Sequence, residues 1–370
     1  MEHSTFACAR RTSGVIALED GHCFRGISVG YEGLSTGEVV FNTAMTGYQE
    51  IFTDLSYAGQ IVAMTYPQIG NVGINPEDYE SSAKPSICGV LMRELSSCVS
   101  GWRATESLID FFKRHQIVAL SEIDTRSLTQ HLRSHGLKRG VIASGDWNIE
   151  KLIHKAKASP SLEEFDLVDQ LTQSEPVEWL DPSEEVQNPI CSKKIVAFDF
   201  GVKQSILWSL ASKGAKVFVV PARTSAEDVL KLQPDGVVLS NGPGDPARLG
   251  NVIAEVAKLT GKVPMFGIAL GHQILARAWG ASTSKMKFGH HGSQPVLNKL
   301  TGRVEITTQN HSFCVTPNTL PPEVEVSHVN LHDGTIEGLR HKELPVFSIQ
   351  YYPELRHSDT AYLLEQFLRL

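Results

Sequence analysis

A glycine-flanked turn lies in the second half of the chain, at Phe266-Gly267-Ile268-Ala269-Leu270-Gly271-His272-Gln273. An apolar run from Pro264 to Ala269 predicts a strand, and the pattern from Gly271 to Trp279 predicts a helix. Glycines two positions either side of a central residue are typical of a nucleophile elbow, which exposes the central side chain at the top of a sheet. The N–H groups that follow can then stabilise an oxyanion. A glycine-rich turn selected only for close packing has the same spacing.

The sequence on both sides of this turn predicts a parallel sheet. After Lys193, apolar runs of strand length alternate with helical patterns, and such repeats form parallel sheets with helices on both faces. The predicted strands are Ile195 to Phe200, Val217 to Val220, Gly236 to Ser240, Pro264 to Ala269 and Val346 to Ile349. Ligands bind beyond the carboxyl ends of such strands, so we expect a site in the loops after Phe200, Ser240 and Ala269.

Three further polar segments are predicted as loops near that site. They read Ser240-Asn241-Gly242-Pro243-Gly244-Asp245-Pro246, Gln309-Asn310-His311-Ser312-Phe313 and Gln350-Tyr351-Tyr352-Pro353-Glu354. Each alone is ordinary solvated loop chemistry. Their order and spacing relative to the glycine-flanked turn favour a common functional site.

The first half of the chain predicts a different architecture. Asp20-Gly21, between strand-like runs at Val15 to Leu18 and from Cys23, indicates a hairpin. Strands and helices then mix without strict alternation, which favours an α+β domain. Residues 160–192 contain no lysine or arginine, which is typical of an exposed acidic connector. We therefore predict an α+β domain at 1–158, a linker at 159–192 and an α/β domain with a mostly parallel sheet at 193–370.

Bulk properties exclude several classes of protein. The formal net charge of −7 over 370 residues argues against a nucleic-acid binder. No apolar run reaches the roughly 18–20 residues of a membrane span, and the first residues lack the apolar core of a secretory signal. The six cysteines are scattered and show no zinc-like spacing, so we predict reduced thiols, no metal site and a cytoplasmic location.

Motifs in both halves identify a family. The chain resembles the small, glutamine-amidotransferase subunit of carbamoyl phosphate synthetase over roughly residues 14–370. The motifs that carry the resemblance, besides those quoted above, are Gly37-Glu38-Val39-Val40-Phe41-Asn42-Thr43, Met45-Thr46-Gly47-Tyr48-Gln49-Glu50, Thr65-Tyr66-Pro67-Gln68-Ile69-Gly70-Asn71, Ile123-Asp124-Thr125-Arg126, Asp199-Phe200-Gly201-Val202-Lys203 and Lys285-Met286-Lys287-Phe288-Gly289-His290-His291-Gly292.

The resemblance implies a class I glutaminase with a Cys-His-Glu triad, and two triad members are replaced here. The nucleophile position is Ala269, the histidine position is Tyr352, and only Glu354 is retained. Alanine cannot form a thioester, and a phenol is a poor base near neutral pH. A serine position near the glutamine site is Ala44. A change at 269 alone would suit an engineered variant, whereas several changes around one pocket favour natural divergence.

The resemblance also implies what the rest of the site does. Further positions match residues that contact glutamine, and Lys203 matches a neighbouring lysine. The positions that match are Gly242, Gly244, Leu270, Gln273, Asn310 and Phe313, and Ser312, also in the glutamine-binding region, stands where the family has a glycine. The implied partner is a large subunit that uses ATP, magnesium and bicarbonate, and no cofactor is expected in this chain. Glutamine is a possible ligand, and the product would enter arginine or pyrimidine synthesis.

Three functions remain open from sequence. The first is a small subunit with a defective glutaminase site and a structural or regulatory role. The second is an active glutaminase with a relocated nucleophile or base, for which Cys314, His311 and His357 are the candidates. The third is a binding module that senses glutamine. Tyr351 and Tyr352 are bulky, and we expect them to fill the space of the substrate amide.

Overall fold

The computed structural model describes residues 12–81, 84–180, 192–353 and 359–370. Its strands in chain order are β1 (Ser13–Leu18), β2 (Cys23–Ser28), β3 (Leu34–Asn42), β4 (Gln60–Met64), β5 (Gln68–Ile69), β6 (Gly89–Leu91), β7 (Glu94–Leu95), β8 (Ala119–Ser121), β9 (Lys138–Ser144), β10 (Val177–Trp179), β11 (Lys194–Asp199), β12 (Lys216–Pro221), β13 (Gly236–Leu239), β14 (Met265–Ile268), β15 (Thr283–Asn298), β16 (Val304–Val315), β17 (Val324–Asn330), β18 (Ile336–His341) and β19 (Val346–Ile349). Its helices are α1 (Tyr48–Thr53), α2 (Leu108–Arg114), α3 (Thr125–His135), α4 (Ile149–Ala158), α5 (Leu167–Leu171), α6 (Gln204–Ala211), α7 (Ala226–Lys231), α8 (Gly250–Leu259), α9 (Leu270–Ala278) and α10 (Tyr362–Arg369).

The described chain divides into two compact units. The first contains residues 12–41, 59–76 and 87–160. The second contains residues 42–58, 77–81, 84–86 and the described residues from 161 onward. Segments of the second unit therefore interrupt the first unit twice along the chain.

A closed barrel forms the first unit, with strand order β1-β2-β8-β6-β4-β3-β9. The predicted hairpin is confirmed, because β1 and β2 pair antiparallel with Ala17 opposite Cys23. Gly21 has φ +98 in its turn, a conformation that glycine adopts without steric cost. Helix α4 packs on the outside of β1 and β9, where Leu152 and Ala156 join a buried apolar cluster. Closure pairs each of the seven described barrel strands on both sides, and β5 and β7 form a separate two-stranded sheet in the same unit.

A sheet in the order β10-β12-β11-β13-β14-β19-β18-β16-β15-β17 forms the second unit. Strands β12, β11, β13, β14 and β19 are parallel, as the strand-helix alternation predicts. The strands from β18 to β17 continue the sheet antiparallel. The α/β class is confirmed.

Helices cover both faces of the parallel strands. Along β11, Ile195 and Ala197 join one buried cluster, which contains residues of α6 and α10. Val196 and Phe198 join a second cluster, which contains residues of α7, α8 and α9. Successive side chains of a strand point to opposite faces, so this alternation shows that the sheet is buried on both sides.

The acidic segment contains ordered elements up to residue 180. It begins with a 3-10 turn, Leu162–Glu164, which is followed by α5. Asp166 separates the two because its side chain accepts from the Asp169 N–H and caps α5. Val168 is buried, and β10 pairs with β12 at the edge of the sheet. Residues 181–191 of the predicted linker, and with them Cys191, lie outside the described residues, as does Cys8.

No helix in the described ranges is both long and apolar enough to cross a membrane.

Candidate functional site

The predicted strand-to-helix turn connects β14 to α9. Ala269 stands at its apex with φ 51 and ψ −106, a conformation that residues with a side chain rarely adopt. The surrounding backbone fixes the turn, because Ala269 N donates to the Ile349 carbonyl at 2.9 Å and Gly271 N to the Ser240 carbonyl at 2.9 Å. A residue held in such a sparsely populated region stores strain that the neighbouring structure must balance.

Both positions of the turn require glycine because a side chain would collide with neighbouring backbone atoms. A methyl group on Gly271 would overlap the backbone carbonyl of Leu239 in β13, and one on Gly267 would lie 2.8 Å from the Gly271 carbonyl oxygen. Helix α9 therefore begins directly against the sheet. The turn keeps the geometry of a nucleophile elbow while Ala269, only 2% exposed, offers a methyl group and no nucleophilic atom.

Tyr352 follows β19 and is fixed by three contacts. Its hydroxyl donates to Asp54 Oδ2 at 2.9 Å, its N–H donates to the Thr308 carbonyl at 3.0 Å, and Lys203 Nζ lies 4.3 Å from its ring centroid. Burial and the neighbouring Asp54 raise the pKa of Tyr352 well above its usual value. The side chain is therefore a neutral hydrogen-bond donor and cannot accept a proton as an imidazole would.

Asp54 and Lys203 belong to a buried network of charged groups. Asp54 follows α1 and accepts from the Ser56 N–H at 2.8 Å, while Lys203 Nζ lies 3.2 Å from Glu80 Oε1. Burial raises the pKa of Asp54. The Lys203 ammonium and the hydrogen bonds that the Asp54 carboxylate accepts oppose this shift. The second Glu80 oxygen accepts from the Ser205 N–H at the start of α6. Side chains from distant parts of the chain thus hold Tyr352 in place.

A cavity of about 420 Å³ lies beside this network. Among the predicted site residues, Ala44, Lys203 and Tyr352 line it. The lining also includes three carboxylates that the sequence did not indicate, Glu50, Asp54 and Glu80. Burial raises the pKa of Glu50 to about 6. With three acids and one lysine among its ionisable groups in the described residues, the cavity favours a cation or a neutral molecule over an anion.

The predicted glycine loop contacts this network through Asn241. Its Oδ1 accepts from the Lys203 N–H at 3.1 Å, and its Nδ2 donates to Ser56 Oγ at 2.8 Å. Gly242 packs so closely that a methyl group there would overlap the Phe200 carbonyl, and Gly244 has φ +92. Among the described residues that line the cavity there are neither these two glycines nor Ala269 and Leu270. The loop and the elbow therefore pack beside the network without lining the cavity.

The segment Gln309–Phe313 was predicted as a loop, and that prediction is wrong. It lies inside β16 and pairs with β15, with His290 opposite His311 and His291 opposite Asn310. Its polar side chains are buried and bond to one another, as in the 2.6 Å contact between His291 Nδ1 and Asn310 Oδ1. The segment was mistaken for a solvated loop because it is rich in polar residues, and these residues find hydrogen-bond partners inside the sheet.

Gln273, Asn310, Ser312 and Phe313 come together in this part of the second unit. Gln273 Nε2 on α9 donates to the Phe313 carbonyl at 2.7 Å and to Gln350 Oε1 at 3.0 Å. Asn310 Nδ2 and Ser312 Oγ are buried and have no hydrogen-bond partner among the residues that the structure describes. Unsatisfied buried polar atoms are uncommon and require an explanation. A polar ligand or ordered water at these two atoms would supply the missing hydrogen bonds.

The candidate replacement residues have unsuitable environments. Burial lowers the pKa of His311 well below its usual value, and its two ring nitrogens lie 2.8 Å from the Phe313 carbonyl and 2.9 Å from Gln309 Oε1. Burial raises the pKa of Cys314, which lies in β16, and so disfavours the reactive thiolate. His357 and the retained triad position Glu354 lie outside the described residues.

Comparison with known proteins decides the family. Residues 16–142 match the model of the carbamoyl-phosphate synthase small chain, CPSase domain, and residues 196–370 match the model of glutamine amidotransferase class-I. A carbamoyl phosphate synthase small chain from Synechococcus sp. is 50% identical, over 99% of this chain and 96% of the relative. The chain belongs to the carbamoyl phosphate synthase small-chain family.

Other members of the carbamoyl phosphate synthase small-chain family are similarly related to it. The small chain from Syntrophotalea carbinolica is 49% identical, over 96% of this chain and 97% of the relative. That from Akkermansia muciniphila is 48% identical, over 96% of each. Since the matches span both halves, this family member contains the small-chain domain together with an amidotransferase domain. The roles of the individual site residues stay predictions.

Proposed function

We propose that this chain is a carbamoyl phosphate synthase small subunit that no longer hydrolyses glutamine. The observation that carries the proposal is Ala269, which occupies the apex of an intact elbow without a nucleophilic atom. Covalent catalysis on an amide carbon requires a thiol or hydroxyl at that point relative to the oxyanion donors. Removing a triad nucleophile can lower turnover on the order of a million-fold.

Tyr352 supports the same conclusion independently. Its hydroxyl is committed to Asp54 and its ring to Lys203, so the position of the expected base is filled by a packed, neutral side chain. A thiol restored at 269 would still lack a group that removes its proton. The two replacements are therefore consistent with one loss of function.

The remaining role is that of a scaffold for a large subunit that uses ATP, magnesium and bicarbonate. Free ammonia would be the nitrogen source, and this chain itself would carry no cofactor. The motifs of the first unit support association, because they match the small-chain domain of the family over residues 16–142. A subunit of this kind would stabilise the synthetase and shape the route of ammonia.

Retained amino-acid binding is a second candidate function. The unpartnered Asn310 Nδ2 lies at a position expected to contact glutamine, and Ser312 Oγ, where the family has a glycine, adds a second unpartnered polar atom that a bound amide could satisfy. Saturable binding of glutamine without hydrolysis, measured by calorimetry on the purified chain, would favour a sensing role. Binding lost on Asn310→Ala would locate the ligand at this site.

The decisive experiment measures carbamoyl phosphate formation by this chain with its cognate large subunit, supplied with glutamine or with ammonium. We expect activity with ammonium only. Turnover with glutamine near that of triad enzymes would overturn the proposal. Trapping with an electrophilic glutamine analogue would then identify any relocated nucleophile, with Cys314 the first thiol to check.

Restoring the triad tests the same proposal from the other side. We expect Ala269→Cys alone to stay nearly inactive, and Ala269→Cys combined with Tyr352→His to gain glutaminase activity. Ala281→Cys with Tyr352→His is the matched control, because it places a thiol at another buried alanine of the same unit. Equal activity in the control and the restored variant would contradict the assignment of the elbow.

A further inference from the structure

Two histidines and a carboxylate meet on the first unit, far along the chain from the site described above. Asp20 and His22 lie in the β1–β2 turn, and His131 lies on α3. Asp20 Oδ1 is 3.2 Å from His22 Nδ1, and Asp20 Oδ2 is 2.7 Å from His131 Nε2. One ligand atom from each residue lies within 4.8 Å of the other two.

These separations are close to those of a tetrahedral metal site. Zinc binds histidine nitrogen and carboxylate oxygen at about 2.0–2.1 Å, which places neighbouring ligand atoms about 3.3 Å apart. Each histidine faces a different oxygen of Asp20. A carboxylate that binds through one oxygen would therefore have to turn, and the Asp20–His131 contact would have to open by roughly half an ångström. Two histidines and one carboxylate, with a fourth position open to water, are a common donor set for zinc and related ions.

The carboxylate of Asp20 offers one oxygen toward each imidazole ring. An ion that replaces the contact between Asp20 and His131 would displace the proton shared in that contact. Binding should therefore release a proton and weaken at acidic pH.

Rigid elements position the ligands. Helix α3 is capped by Asp124, and the His131 ring, 9% exposed, stacks on the His135 ring with centroids 4.6 Å apart. Asp20 is held by the tight β1–β2 turn. His22 is 58% exposed, and its ring packs on that of His131 with centroids 4.0 Å apart, so it would turn out of this contact toward solvent to share an ion. Two preorganised ligands and one adjustable ligand allow an ion to enter from solvent.

We propose that Asp20, His22 and His131 form a surface binding site for a divalent transition-metal ion of the zinc class. The ion would cross-link the β1–β2 turn to α3, which lie 111 residues apart in sequence at Asp20 and His131. Binding to the folded chain alone stabilises it by mass action, so this site would act as a metal clip on the barrel. It is independent of the glutaminase question.

The first test titrates Zn²⁺ alone into the metal-free full-length chain at pH 7.5, in competition with a chromophoric chelator. We expect one zinc per chain in the micromolar range or tighter, and at least tenfold weaker binding for His22→Ala and His131→Ala. His154→Ala is the matched control, because His154 is an exposed histidine on α4 of the same unit. The melting temperature should rise with Zn²⁺ in the wild type and the control only.

Cobalt distinguishes this site from a cysteine site, which matters because Cys23 adjoins His22. Co²⁺ bound by nitrogen and oxygen gives visible d–d bands without the near-ultraviolet band of a thiolate ligand. A thiolate band would overturn the proposal, as would the absence of saturable zinc binding or unchanged binding in both histidine variants. His22 is largely exposed, so His22→Ala keeps the test valid even where His131→Ala fails to fold.

Discussion

Replacing Tyr352 by phenylalanine removes one hydroxyl group and keeps the ring that packs against Lys203. The lost contact is the 2.9 Å hydrogen bond to Asp54 Oδ2, between side chains that are both almost fully buried. A hydrogen bond to a charged group contributes about 1.5–3 kcal/mol, and one between neutral groups about 0.5–1.5 kcal/mol. The free energy of unfolding should therefore fall by about 2 kcal/mol when Asp54 is ionised.

The loss should depend on pH with a definite sign. The pKa of Asp54 is raised in the folded state, so the folded chain holds this proton more tightly than the unfolded chain. Stability from this group is therefore lost as pH rises from the unfolded pKa, near 3.9, through the folded one. The Tyr352 hydroxyl lowers the folded pKa, and removing it raises that pKa further. The variant should lose about 2 kcal/mol at pH 8 and less at pH 5, where a larger fraction of Asp54 is protonated.

Urea denaturation at the two pH values measures both quantities. With a slope of about 2–3 kcal/mol per molar urea, the midpoint should fall by roughly 0.7–1 M at pH 8 and by less at pH 5. Tyr31→Phe is the control, because it removes a hydroxyl from an exposed tyrosine. Its free energy of unfolding should stay within about 0.5 kcal/mol of the wild type. Equal losses at both pH values, or an unchanged midpoint at pH 8, would refute the reasoning.

Two further predictions concern the elbow and the helix that follows it. Gly271→Ala should lower the free energy of unfolding by more than about 3 kcal/mol because its methyl group overlaps the Leu239 carbonyl. Gly250 lies in a helix with open space around it, so Gly250→Ala should leave the free energy of unfolding unchanged or raise it. Melting temperatures of the two variants measure the difference, and similar values would contradict the prediction. Burial lowers the pKa of His272 from 6.5 to about 3. Because the unfolded chain then binds the proton more readily, the free energy of unfolding should fall as pH drops below 6.5, by about 2 kcal/mol at pH 5. His272→Gln should remove that part of the acid destabilisation in urea titrations, and an unchanged pH slope would disprove it.

The sequence predicted the parallel part of the second unit well because its signals are local. The strand Val346 to Ile349 agrees with the structure residue for residue. The glycines at 267 and 271 predicted a tight turn because steric exclusion of a side chain is a property of the turn itself. Short apolar runs and glycines can be interpreted from the sequence without knowledge of distant contacts.

Features that depend on distant contacts were not predictable in the same way. Asp54 and Glu80 carry no motif that marks them, and only the fold places them beside Tyr352 and Lys203. The polar strand around Asn310 was mistaken for a loop because its partners are other buried polar groups on β15. Asp20 and His131 are likewise brought together only by barrel closure. Sequence spacing cannot reveal ligands that are 111 residues apart.

The interleaving of the two units limits how the chain can be divided. Asp54 and Glu80, which hold Tyr352 and Lys203, belong to the second unit but are encoded within the first 81 residues. A fragment beginning near residue 193 would therefore expose a buried tyrosine and a lysine deprived of their carboxylates. Expression of the amidotransferase half alone, or its exchange by recombination at the acidic segment, would transfer an incomplete core. Any truncated form used for crystallography or screening should keep the chain from β1 onward.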